Sequence, residues 1–225
     1  MGSLKGHLRN HLVKTRKKIP GKASIWLFYS LKQNADVPLI GDLEMLHWMS
    51  ELEIDPRVRS FKLDQEIEIS VDQPGDKFEK LKVISVEYSD GSVEFHQIDA
   101  GQNAVLDRIC LPICYRDAGR IECGQLVIFS AARLKMFSKS SLGFWLKIIA
   151  FVSQVRDYDL RTEMGLVGTD VTIYKEGTIG SLLESLPIID PAIAVGAICR
   201  TILQGNIIVE SGGGSFGNNT RWKTP

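Results

Sequence analysis

The chain has 225 residues, 44% hydrophobic and 24% charged, the composition of an ordinary globular protein. Its 27 Lys and Arg balance 27 Asp and Glu, which taken alone speaks against a uniformly basic nucleic-acid binder. No apolar run reaches the ~18 residues of a membrane-spanning helix, and the charged N-terminus lacks the apolar core of a secretion signal, so a cytoplasmic chain with no membrane partner is expected.

The balance hides an asymmetry. Residues 1–22 carry Lys5, Arg9, Lys14, Arg16, Lys17, Lys18 and Lys22 and no acid, whereas residues 41–100 carry 15 acids and 6 bases. Such segregation points to a basic arm that lies against a polyanion such as DNA, the seven basic side chains being the candidate contacts. A solubilising tail without a ligand is the plainer alternative. His7 and His11 add to the arm's charge, and Ile19-Pro20-Gly21-Lys22 closes it with a turn signal.

Asp42 predicts an N-cap, followed by a helix from Leu43 with Glu44 in its first turn. Leu43, Met45, Leu46, Trp48, Met49 and Leu52 give that helix a wide apolar face, and Asp55-Pro56 ends it. Phe61 to Val71 then alternates, with Ile67, Ile69 and Val71 opposite Glu66, Glu68 and Ser70, the pattern of a half-buried strand. From Lys80 to Asp99 two alternating runs flank Asp90-Gly91, a hairpin signal. A two-residue loop there sets Glu87 across from Glu94 and Val86 across from Phe95. Glu87 and Glu94 are then a candidate cation pair, or two solvated acids on an exposed face. His96 falls on the polar face, and parity carries Gln97 and Asp99 onto the apolar one, where they need bonding partners or a bulge.

A helix is expected over Asn103 to Ile109, a strand over Gln125 to Phe129, and an apolar helix over Leu142 to Val152. Cys110 and Cys114 fall one helical turn apart and Cys123 follows. No His completes a zinc set, so reduced, buried apolar thiols are expected. Thr178 caps a short helix carrying Ile179, Leu182 and Leu186; Asp190-Pro191 caps a second, which Gly205 ends. Asn206 to Val209 forms a short strand. Helix, turn, helix and strand outline a winged helix-turn-helix. Residues 211–225 read as a flexible tail with Phe216 and Trp222 as anchors. Ser211-Gly-Gly-Gly-Ser215 lacks the lysine of a phosphate loop, and no nucleophile motif stands out.

Leu52 to Phe61 (LEIDPRVRSF), the Val86 to Gly91 run (VEYSDG) and Phe95 to Asp99 (FHQID) together resemble the N-terminal endonuclease domain of TnsA-type transposase subunits. Ala192 to Val209 is similar to the end of that family's winged-helix domain. The resemblance implies an α/β protein: a restriction-endonuclease-like mixed sheet flanked by helices at 23–134, then a smaller winged-helix-like domain at 135–210. It also implies Mg²⁺-dependent phosphodiester cleavage, in which carboxylates hold the metal and a lysine orients the attacking water. Carried over by position, the family's helix acid falls at Glu44, its strand aspartate on Val83, and its final Gln and Lys on Gln97 and Asp99. A valine and an acid replace a ligand and the lysine, so a degenerate centre is expected, in a subunit that binds DNA and docks a transposase and an ATPase regulator. An active nuclease with a rearranged site, using Mg²⁺, is one alternative. A winged-helix regulator reading DNA through Arg200, Thr201 and Gln204 is the other.

Overall fold

The computed structural model describes residues 25–40, 43–70, 78–99, 108–117, 119–130, 134, 141–211 and 214–225. The chain begins with an antiparallel hairpin, β1 (Ile25–Ser30) and β2 (Ala35–Ile40), and continues into helix α1 (Leu43–Ile54). α1 forms where its apolar spacing predicts and buries Leu46, Trp48, Met49 and Leu52. The expected cap, Asp42, lies outside the described residues.

Five strands then close a barrel: β3 (Val58–Ser70), β4 (Glu79–Tyr88), β5 (Val93–Asp99), β6 (Arg108–Asp117) and β7 (Arg120–Ser130), in the order β3-β4-β5-β7-β6. β5 and β7 run parallel and the other neighbouring pairs antiparallel, so the sheet is mixed and the protein is α/β. The helix-flanked mixed sheet expected above is closed into a barrel here, because β6 pairs with both β3 and β7. The segment 108–109, expected to end a helix, belongs to β6. Cys110 and Cys114 therefore stand on a strand and not one helical turn apart.

Where the strands are apolar on both faces, both faces are covered. Ile67, Ile69, Val83, Phe95, Ile113, Tyr115 and Leu126 fill the barrel. Val58, Phe61, Val86, Val127 and Phe129 point outward into a larger cluster shared with β1, α1 and the C-terminal helices.

The hairpin differs by one residue from its expected form. Tyr88 N–H donates to Ser92 O at 2.9 Å and Gly91 N–H to Tyr88 O at 3.0 Å, so the loop is the three residues Ser89-Asp90-Gly91. Only Gly91, at φ 86°, takes the left-handed conformation, as in a type I turn closed by a glycine bulge. Adding one loop residue moves every pair along by one. Glu87 lies opposite Val93 and Val86 opposite Glu94, so the two glutamates occupy opposite faces.

Beyond the barrel, α2 (Leu142–Gln154), α3 (Arg161–Tyr174), β8 (Glu176–Thr178), α4 (Ile179–Glu184), α5 (Pro191–Leu203), β9 (Ile208–Val209) and β10 (Arg221–Lys223) follow in turn. The three strands form an antiparallel sheet in the order β8-β10-β9. Both expected caps form. Thr178 Oγ1 accepts from Ser181 N–H at 3.1 Å, and Asp190 Oδ1 from Ala192 N–H at 2.9 Å. Gly205 ends α5 at φ 79°, with its Cα against Pro56, where an added Cβ would lie 2.6 Å from the proline Cβ.

The segment 211–225, expected as a flexible tail, carries β10, and both anchors are buried. Phe216 packs edge-on against Phe144 at 5.6 Å, and Lys147 Nζ donates to its carbonyl at 2.7 Å. Trp222 Nε1 donates to Thr178 O at 3.1 Å.

α5 is the centre of the helical layer and buries eight residues from Ala194 to Leu203. Gly196 lets α2's end approach: a Cβ there would sit 2.5 Å from Val155 Cγ2. Gly196→Ala is therefore expected to cost about 1–3 kcal/mol by overpacking. Adding Val155→Ala should recover part of it, since the two sites touch. Urea unfolding of the single and double variants measures both, and equal stability of Gly196→Ala and wild type contradicts this packing. Among the described residues no helix is long and apolar enough to cross a membrane.

Candidate functional site

Of the residues that the sequence marks as a nuclease centre, the structure describes the side chains of Val83, Gln97 and Asp99. Val83 is 3% exposed and belongs to the apolar filling of the barrel. Gln97 is half-buried beside Ile128, and Asp99 is exposed at the end of β5 beside Ser130, so the two do not form a buried polar pair. Glu44 lies in the first turn of α1, and its side chain is outside the described residues. So are Lys5, Arg9, Lys14, Arg16, Lys17, Lys18 and Lys22.

Magnesium needs hard oxygen ligands held together, and Val83 offers none. Among the described residues no group of three or more His, Cys, Asp or Glu is placed to hold a metal ion. The residues at Val83, Gln97 and Asp99 therefore do not fit the metal site that the resemblance implies. Glu87 is engaged elsewhere: Arg59 Nη1 lies 3.1 Å from its Oε1, and the Ser60 hydroxyl donates to Oε2 at 2.9 Å.

A different polar cluster is built where α1, the start of β3 and the β4–β5 hairpin meet. Trp48 and His96 are 0% and 2% exposed. Trp48 Nε1 donates to His96 Nδ1 at 3.2 Å, so Nδ1 is the acceptor and neutral His96 carries its proton on Nε2. That Nε2 lies 3.0 Å from Glu94 Oε2, and the Tyr88 hydroxyl donates to the same oxygen at 2.8 Å. Phe129 packs on the imidazole with ring centroids 5.0 Å apart, walling it from solvent.

The chain Trp48–His96–Glu94–Tyr88 thus presents one carboxylate at the edge of a cleft of about 510 Å³. Glu51, Asp55, Arg57 and Asp90 also line that cleft, which makes its rim predominantly acidic. Parity in the shifted register explains why the sequence hid this site. His96 and Glu94 share the outward face of the sheet with Val86 and Ile84, the face that α1 covers.

A fully buried acid holds the adjoining frame. Glu53 is 1% exposed. Its Oε2 accepts from the Ser30 hydroxyl at 2.8 Å, and its Oε1 from Leu31 N–H at 2.6 Å and Lys32 N–H at 3.1 Å. Lys32 Nζ reaches on to the carbonyls of Asp55 and Val58. The β1–β2 turn is thereby tied to the end of α1 and the start of β3. Burial pushes the Glu53 carboxyl above its ordinary value, against the lowering effect of these donors, and burial pushes Lys32 down.

The helix expected to read DNA is largely covered. Thr201 is buried with its hydroxyl donating to Ala197 O at 2.9 Å, Arg200 is half-buried, and only Gln204 of the three is exposed. Packing of α2 and α3 on α5 accounts for this. No family model matches the chain, and no curated protein matches it.

Proposed function

We propose that the chain is a non-cutting, DNA-bound subunit of a TnsA-type transposition machinery. The observation that carries the non-cutting part is Val83, buried in apolar surroundings at the position where the resemblance places a metal-binding aspartate. Asp99 standing for the lysine supports it further, since an acid cannot orient a nucleophile as a cation does.

Two layouts support the family reading. α1 leads into β3, β4 and β5, and a parallel β7 lies beside β5, which supports the mixed, helix-flanked sheet of that reading, with barrel closure through β6 as a departure from it. The series α3, β8, α4, α5, β9, β10 with sheet order β8-β10-β9 supports a winged-helix-like C-terminal part. With α5 covered, that part serves for docking the transposase or the ATPase regulator rather than for reading base edges.

DNA is held by the arm. Seven phosphate contacts give a log–log salt slope of roughly −6, from about −0.9 per contact. Anisotropy titrations of a labelled duplex over a salt series are expected to show this slope, and deletion of residues 1–22 to abolish most of it. An unchanged affinity after the deletion removes the arm from the proposal. Supercoiled plasmid with Mg²⁺ or Mn²⁺ is expected to stay intact. Nicking that disappears in Glu44→Ala, Glu87→Ala or Asp99→Ala would establish the active-nuclease alternative instead.

A further inference from the structure

The outer face of the barrel carries a thiol pair that the proposed function does not use. Cys114 on β6 and Cys123 on β7 are direct antiparallel partners, so their side chains leave the same face of the sheet side by side. Cys123 is exposed and Cys114 half-buried. Antiparallel partners have Cα atoms about 4.5–5.5 Å apart, inside the roughly 4.4–6.8 Å that a disulfide spans.

The flanking pairs pin this register. Tyr115 lies opposite Glu122 and donates to its Oε2 at 2.7 Å; Ile113 lies opposite Gly124. The Tyr115 ring occupies the space above Gly124, where a Cβ would meet it at 3.1 Å. The strands cannot slip without breaking both, so the sulfurs stay together. The other thiols stand apart. Cys110 pairs with Val127 four residues up the strand, about 14 Å away at ~3.4 Å per residue, and Cys199 is buried in α5.

We propose that Cys114 and Cys123 are a redox pair that closes to a cross-strand disulfide by exchange with a low-molecular-weight disulfide such as oxidised glutathione. The exposed Cys123 loses its proton to solvent, and its thiolate attacks one sulfur of the small disulfide. The S–S bond breaks, one thiol leaves, and a mixed disulfide remains on Cys123. Cys114 then deprotonates and attacks the Cys123 sulfur, expelling the second small thiol. Two protein thiols are oxidised, one small disulfide is reduced to two thiols, and no other reactant is needed. The order follows access: partial burial, then the adjacent Cys123 sulfur, push the Cys114 thiol above its ordinary value. The link staples the hairpin that closes the barrel between β3 and β7.

The test is incubation of the full-length chain with oxidised glutathione, followed by intact mass and peptide mapping. The wild type is expected to lose the mass of two hydrogens and to yield a linked Cys114–Cys123 peptide, reversed by dithiothreitol. Cys114→Ser is expected to stop at a glutathione adduct on Cys123, and Cys110→Ser to keep the link. A stable adduct on Cys123 in the wild type, a link involving Cys110, or no reaction each overturns the pair.

Discussion

Replacing Trp48 with alanine is expected to destabilise the protein by about 3–5 kcal/mol, the range for removing a large aromatic from a tight core. The ring is fully buried at the junction of α1 with the sheet, edge-on to His96 at a centroid distance of 5.9 Å. A loss of this size is a large fraction of the ~5–15 kcal/mol that holds a domain folded. Trp48→Phe separates volume from hydrogen bonding. It keeps most of the apolar area but leaves His96 Nδ1 a buried acceptor without its donor, at about 1–3 kcal/mol. Urea unfolding midpoints at constant m-value read both. A cost below ~1 kcal/mol for the alanine variant would show that the α1–sheet junction is not packed as described.

Glu53→Ala is the second large effect, expected at about 3 kcal/mol or more, because three donors lose their acceptor in a dry site. Glu53→Gln is milder, since an amide oxygen still accepts from one side, and it removes the charge. The two variants together give a pH signature. Burial raises the folded-state pKa of Glu53 above its unfolded value. The stability linked to that raised value is fully present below the unfolded pKa, near ~4.3, and is lost as pH rises through the folded one. The wild type should therefore lose ground to Glu53→Gln as pH rises from about 4 toward neutrality. A wild-type advantage that grows over that window would mean the hydrogen bonds outweigh desolvation and the pKa is depressed.

Both predictions concern groups that long-range packing recruits. Trp48 was legible as part of an apolar helix face, because i, i+3 and i+4 spacing is a local property. Its bond to His96 was not, since the partners are 48 residues apart. A two-residue Asp-Gly loop would place His96 on a polar face. The additional loop residue, Ser89, reversed the faces of the whole hairpin. A strand with apolar residues on both sides offers no internal check on register, and β4 and β5 are covered on both sides. β6 was hidden for a related reason: Cys110 and Cys114 invite a helical reading when its alternation of Leu111, Ile113 and Tyr115 is not followed.

From the sequence alone came the elements whose causes are local: the apolar face of α1, the Thr178 and Asp190-Pro191 caps, the glycine ending α5, and the segregation of basic from acidic segments. The α/β class followed from their succession. Tertiary structure alone decided the barrel closure through β6, the register that buries His96 beside Trp48, the tethering of Glu53, and the facing of Cys114 by Cys123. The division has one physical reason. Caps, turns and helical periodicity are determined by residues within a turn or two of each other. Register, closure and burial are decided by which distant surface an element finally covers.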